Sequence, residues 1–365
     1  MRLYHLLRPL LFRLPPDEAH TLTLRLLRLT GKFPPALSAL RKAFSASAAP
    51  VEAFGLRFPN PLGLAAGYDK DGTAIHGLAA LGFGHLEIGT VTPRPQAGNP
   101  KPRVFRLPEE RAIINRMGFP SAGAAVVARN LQKGGRPPNI ILGVNIGKNK
   151  DTPNEEAAQD YLTLLEAFLG LADYLTVNVS SPNTVGLRAL QHRAMLEDLL
   201  GRLYERRAQS FSGTVHLPFG PTIPGDEIPI LVKFSPDLTP AQLESALEAV
   251  VRSRMDGVIL TNTTVSRPVS HPLAAERGGL SGAPLQEMSE AALRRALRLL
   301  DGALPVVSVG GVMTPEDVQR RLDMGAALVQ VYTGLVYSGP SLPRDALRGL
   351  TAARTRSAIR PRRAG

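Results

Sequence analysis

Residues 174–184 read YLTVNVSSPNT. The stretch opens as a buried strand, with Tyr174, Leu175, Val177 and Val179 as β-formers, and turns polar from Asn178 through Ser180, Ser181, Asn183 and Thr184. Amides and hydroxyls at the point where a strand leaves a core are groups placed to meet a ligand. The pattern recurs along the chain. AAGYDKDG, IGTVTPR, GVNIGKNK, VNVSSPNT, VKFSPD, LTNTTVSR, VGGV and VYTG each follow an apolar run and end in polar residues or paired glycines. The amides are Asn115, Asn145, Asn178, Asn183 and Asn262, joined by Lys70 and Lys233, while histidine and paired carboxylates are scarce. Amides both donate and accept, so this set suits a flat heterocycle with alternating C=O and N–H groups. Gly310-Gly311 and Tyr332-Thr333-Gly334 offer backbone N–H groups and a hydroxyl for a phosphate. Taken singly, the glycine pair could be a tight turn and each asparagine a turn cap.

The elements that must position these groups alternate. Apolar β-like runs at 61–66, 85–90, 140–145, 174–179, 229–234, 256–261, 305–309 and 327–332 are mostly separated by amphipathic helical stretches such as AQLESALEAVVRSR and TPEDVQRRLDMG. Eight such units predict an α/β fold, a (β/α)8 TIM barrel, with the site at the C-terminal ends of the strands. VEAFGLRFPNPLGLAAG predicts a short hairpin leading into the first strand. Ahead of it, residues 3–14 place leucines at helical spacing, with Pro9 expected to kink or interrupt the helix. A second helix follows in PPDEAHTLTLRLLRLTG, with Gly31 expected as its stop. This amphipathic pair, within a 1–45 extension, fits either a packing lid or a membrane interface. The barrel is expected over 46–350, a basic solvated tail over 351–365, and a surface loop over 208–228, which is rich in Gly, Pro and Ser.

Composition removes several chemistries. The 365 residues include no cysteine, which excludes disulfides, thiolate metal sites and a cysteine nucleophile. Seven scattered histidines without HxxxH spacing speak against a zinc site, and no metal is expected. GFGHLEIG fails the dinucleotide pattern at Glu87, and GVNIGKNK fails the P-loop at its glycine spacing and at Asn149. The net charge of +12 is terminal: residues 1–42 and 344–365 carry +6 each and the body is neutral. Nucleic-acid binding is therefore not expected, whereas basic ends can face anionic lipid. No apolar run is long enough to span a bilayer, and the N-terminus does not read as a signal peptide.

The chain resembles a known family, the quinone-dependent (class 2) dihydroorotate dehydrogenases. The motifs are NPLGLAAGYDKDG, EIGTVTPRPQ, INRMGF, NIGKNK, NVSSPNT, TNTT, GGLSG, VGGV and LVQVYTG, and they span almost the whole chain. The resemblance implies oxidation of dihydroorotate to orotate through FMN, with electrons passed to a membrane quinone, in pyrimidine synthesis. It implies Ser181 as the base at C5, with hydride leaving C6 for flavin N5, and Thr184 with a water as a proton relay. It implies substrate contacts from Lys70, Asn115, Arg116, Met117, Gly118, Phe119, Asn178, Asn183, Asn262 and Thr263. FMN would be held by Ala66, Gly67, Tyr68, Asp69, Lys70, Thr90, Asn145, Asn178, Lys233, Thr261, Gly282, Gly311, Tyr332 and Thr333. His20, Arg106 and Tyr332 would lie along the quinone path. Class 1 relatives carry cysteine at the base position, where this chain has serine. Tyr68 and Thr333 depart from the residues common in the family. A monomer is expected, peripheral on the cytoplasmic side of a bacterial membrane and touching anionic lipid through the N-terminal helices. Two other readings are a different FMN-dependent barrel, such as a dihydropyrimidine- or dihydrouridine-type reductase, and a non-enzymatic membrane-surface scaffold.

Overall fold

The computed structural model describes residues 2–45, 49–209, 214–215, 223–224 and 228–359, with side chains over 4–45, 49–209 and 228–350. Eight parallel strands close into a barrel: Leu62–Leu64, His85–Val91, Ile141–Ile146, Tyr174–Asn178, Ile230–Phe234, Gly257–Leu260, Val306–Val309 and Leu328–Val331. Each falls within or beside one of the eight apolar runs read from the sequence. Parallel strands buried on both faces need continuous apolar sequence, and all but one of these residues are buried. The larger apolar core lies between the strands and the surrounding helices. A smaller one fills the lower barrel, where the hairpin Val51–Ala53 and Leu56–Phe58 closes the bottom with Ala53, Leu56 and Phe58 against Leu231, Ile259, Val307 and Leu328. Gly63 and Gly143 make room there: an added Cβ would stand 2.1 Å from the His85 ring and 2.1 Å from the Tyr174 ring, respectively.

Helices α1 (Arg2–Arg13), α2 (Pro16–Lys32) and α3 (Pro34–Phe44) precede the barrel, and α3 was not expected. Of the two effects expected of Pro9, interruption is contradicted: Pro9 lies inside a continuous α1. The helix is held from outside, by Tyr4 donating to the Val336 carbonyl, Arg8 donating to the Tyr337 carbonyl, and Phe12 packed edge-on to Tyr337 at 5.5 Å. The missing Pro9 N–H costs one hydrogen bond that this docking offsets. Gly31 does not stop α2, which runs on to Lys32 and ends before Pro34. Its glycine serves close approach instead. A Cβ at Gly31 would lie 3.1 Å from His76 Cβ, and one at Gly77 would lie 2.2 Å from the Leu27 carbonyl, so α2 rests almost backbone to backbone on the short helix α4 (Ile75–Ala79).

A second unexpected element is an antiparallel sheet of Val104–Leu107, Ala112–Asn115 and Gly279–Gly282. Arg106 ties it to α1, donating to the carbonyls of Leu11 and Leu14, with its guanidinium 4.5 Å from the Phe12 ring centre. The final helix runs from Leu342 to Ile359, and residues 360–365 lie outside the described residues. So do residues 210–213, 216–222 and 225–227 of the expected 208–228 loop, whose first two residues instead end the helix Arg193–Gln209 and whose Thr214–Val215 pairs with Ile223–Pro224.

Candidate active site

The strand ends converge on one cavity of about 450 Å³, which continues from the barrel mouth to α1 and α2. Ala66, Gly67, Tyr68, Lys70, Thr90, Asn115, Met117, Gly118, Phe119, Asn178, Ser181, Asn183, Lys233, Thr261, Asn262, Thr263, Gly282, Gly311, Tyr332 and Thr333 all line it, as do His20 and Arg106. Four expected residues do not. Asp69 lies behind the wall and accepts from the backbone of Thr73 and Ala74, at 2.9 and 2.7 Å. Asn145 sits one layer down. Arg116 turns to Glu276 at 2.6 Å and over the Phe105 ring at 4.6 Å. Thr184 lines a second cavity on the far side of Ser181, and its hydroxyl is buried without a protein partner.

The amides form two hydrogen-bonded groups, Asn145, Asn178 and Asn262 in one and Asn115 with Asn183 in the other. Asn178 donates to Thr90 Oγ1 at 3.0 Å and to Asn145 Oδ1 at 3.1 Å. Its own oxygen accepts from the Ser180 hydroxyl at 3.0 Å and from Asn262 Nδ2 at 3.4 Å. Asn262 also donates to Ser180 Oγ at 2.8 Å, and Asn183 donates to Asn115 Oδ1 at 3.2 Å. The polarity that begins inside the fourth strand is thus a scaffold of amides, each fixed in orientation by its neighbours. Ser181 stands at its edge, buried, with Oγ accepting from the Asn183 backbone at 3.2 Å.

Below this layer lies a residue the sequence reading passed over. Glu87 is buried inside the barrel and accepts from Asn145 at 2.9 Å, Gln330 at 2.9 Å, Thr176 at 3.2 Å and Tyr174 at 3.3 Å. Lys233 Nζ lies 3.8 Å from it. The signal was a lone acid within the apolar run HLEIGTV. Gln330, in LVQV, is a lone amide of the same kind. Across the mouth, Gly310 and Gly311 have φ of +110° and +70°. Buried Arg321 fixes this turn by donating to the Gly310 carbonyl at 2.9 Å and to Ser289 Oγ at 2.8 Å. Thr333 donates to Ser281 Oγ at 2.9 Å. Among the described residues no group of His, Asp and Glu is arranged to hold a metal.

Toward α1 and α2 the lining becomes apolar and aromatic. His20, Tyr68 and Tyr332 form a chain of edge-on rings, with centres 5.0 and 5.7 Å apart. Burial, with Lys70 nearby, lowers the His20 pKa to about 3, so its imidazole is neutral. Burial raises the Tyr68 hydroxyl above the usual range. Lys70 is lowered to about 8, first by burial and then by Arg103.

The dihydroorotate dehydrogenase family model matches residues 48–353. The chain belongs to the dihydroorotate dehydrogenase family. It is 48% identical over 351 residues to the dihydroorotate dehydrogenase (quinone) of Aromatoleum aromaticum, covering 96% of this chain and 95% of that one. To the enzyme of the same name from Flavobacterium lutescens it is 48% identical, covering 95% and 96%. The crystal structure of DHODH from Eimeria tenella in complex with ferulenol superposes with a TM-score of 0.83 at 36% identity, covering 94% of this chain and 93% of that one. The activity is accordingly the oxidation of dihydroorotate by an FMN enzyme with a quinone as electron acceptor. The donor set fits FMN: a buried cation at Lys233, a turn of two glycines, and a buried Thr261 hydroxyl with no protein partner.

Proposed function

We propose that Ser181 is the base that takes the C5 proton of dihydroorotate, and that substrate and quinone approach FMN from opposite ends of the one cavity. Continuity of the lining from Ser181, Asn183 and Asn262 to Tyr4, Leu11 and His20 supports this reading. FMN, when bound, would supply the acceptor for the C6 hydride and the carrier that passes the electrons on to quinone. Asn115, Asn178, Asn183 and Asn262 hold the pyrimidine edge by hydrogen bonds, with Asn178 also fixing Asn262. Lys70 meets the substrate carboxylate, and Met117, Gly118 and Phe119 form one wall. Thr90, Lys233, Thr261, Gly282, Gly311, Tyr332 and Thr333 hold the flavin and its phosphate, and Ala66, Gly67 and Tyr68 back it. Lys233 supplies the positive charge where negative charge accumulates. Ser181 is a weak base at its ordinary acidity and must pass its proton on. Thr184 takes it through a water; its hydroxyl, buried without a protein partner beside the second cavity that Ser181 also lines, supports this reading.

His20, Arg106 and Tyr332 line the quinone approach. The outward faces of α1 and α2 expose Leu6, Leu7, Leu10, Leu22 and Leu29, at 40–73% of full exposure. No helix among the described residues is long and apolar enough to cross a membrane. These exposed leucines with basic flanks suit docking of a monomer on anionic lipid at the cytoplasmic face of a bacterial membrane.

Anaerobic stopped-flow spectroscopy of Ser181→Ala tests the base. Loss of general-base catalysis predicts flavin reduction slowed by about 10²–10⁴-fold, with reoxidation by quinone unchanged. A reduction rate within a few-fold of wild type would overturn the assignment.

A further inference from the structure

We infer that Arg188 is a positioning residue for dihydroorotate oxidation, clamping the turn that carries Ser181 to the turn that carries Asn262. The inference rests on the reading of Ser181 as base and Asn262 as substrate ligand.

Arg188 lies in the one-turn helix Leu187–Gln191, seven residues after Ser181, and does not line the main cavity. Its guanidinium makes three directed bonds. Nε donates to the Ser180 carbonyl at 3.1 Å, Nη2 to the Thr263 carbonyl at 3.1 Å, and Nη1 to Asp237 Oδ2 at 2.8 Å. The first carbonyl adjoins Ser181, and the second follows Asn262 directly. Asp237 is itself fixed, accepting from the Val265 backbone at 3.0 Å, from Ser235 Oγ at 3.3 Å and from the Thr264 hydroxyl. Gln191, from the same short helix, accepts from the Ser235 backbone at 2.9 Å. The ends of the fourth, fifth and sixth barrel strands are therefore joined through one side chain, whose exposure is 24% against 16% for Asp237.

The geometry explains why the residue is arginine. A planar fork can serve two carbonyls and a carboxylate in different directions at once, whereas an ammonium is a point charge on a flexible stem. The carbonyls it holds belong to the base turn and the substrate turn, so its effect falls on the distance between proton acceptor and carbon acid. Misplacement of about 1 Å can cost about 100-fold in rate. The flavin-to-quinone end of the cavity has no contact with it. The pair also lines the second cavity, of about 450 Å³, which gives small solutes access to the guanidinium.

The test is Arg188→Ala and Arg188→Lys in the FMN-loaded enzyme, with the two half-reactions timed separately. We expect flavin reduction by dihydroorotate to fall about 100-fold in both, with FMN content and reoxidation by quinone as in wild type. Added guanidinium chloride should restore Arg188→Ala, by occupying the vacated site, and should leave Arg188→Lys slow. In the Ser181→Ala background, Arg188→Ala should cost little more, since coupled residues are not additive. Wild-type reduction in both variants would overturn the inference. So would equal slowing of both half-reactions with loss of FMN, or full multiplication of the two losses in the double variant. If Ser181→Ala alone reduces normally, the base assignment fails. A slow, guanidinium-restored Arg188→Ala would then still uphold the clamp, acting on the Asn262 turn.

Discussion

Lys233 Nζ and Glu87 Oε1 face each other at 3.8 Å inside the barrel, with side-chain exposures of 6% and 0%. A cation this far from water needs its partner, and four further donors hold that carboxylate in place. Breaking a buried pair by removing one member typically costs about 3–5 kcal/mol, because the other is left uncompensated. Glu87→Gln should therefore lower the urea unfolding free energy by about 3 kcal/mol and weaken FMN retention. The double variant Glu87→Gln/Lys233→Met should recover part of the stability without recovering FMN. A single variant as stable as wild type would show that the pair is not a structural unit.

Lys70 gives a pH dependence whose sign is fixed. Burial first, then Arg103, lowers its pKa to about 8, against the opposing pull of Asp71, Asp69 and Asp17. Below that pH it is an ammonium, and above it the amine is neutral in the free enzyme. A carboxylate ligand binds the ammonium, so the dissociation constant of dihydroorotate should weaken by about tenfold per pH unit above 8. Lys70→Met should bind roughly ten- to a hundredfold more weakly at pH 7, the loss expected for a charged hydrogen bond, and should show no such rise. An unchanged pH profile in that variant would place the titration elsewhere.

The exposed leucines predict a separable membrane function. Leu6, Leu10 and Leu29 are 73%, 58% and 63% exposed and do not line the cavity. Replacing all three with serine should cut partition to anionic vesicles at least tenfold, about 1.4 kcal/mol, while the rate with a short-chain soluble quinone holds. Sedimentation with vesicles measures the first and a quinone-reduction assay the second. A variant that partitions as well as wild type would remove these helices from the membrane interface.

The barrel was readable because fully buried parallel strands demand apolar runs, and each run ends in residues that the solvent-facing mouth selects for chemistry. The lining residues followed from the same rule, joined to the family resemblance. What escaped depends on contacts distant in sequence. Glu87 looked like a failed glycine in a phosphate motif, because nothing local announces that Lys233, Gln330 and Asn145 converge on it. The sheet joining 104–115 to 279–282 is closed by pairing across more than half the barrel. Gly31 reads as a helix stop until α4 is seen beneath it. Arg188 sits in a turn whose local sequence gives no sign that three strand ends meet there.

In the proposed function one cavity takes electrons from dihydroorotate at the Ser181 end and delivers them to quinone at the His20 end. The most direct test is the visible spectrum of the purified, FMN-loaded protein under anaerobic conditions. Dihydroorotate should bleach the flavin bands, and a soluble quinone added next should restore them, with His20→Ala slowing only the second change and Ser181→Ala only the first. A flavin that stays yellow with dihydroorotate, or variants that slow both phases alike, would contradict it.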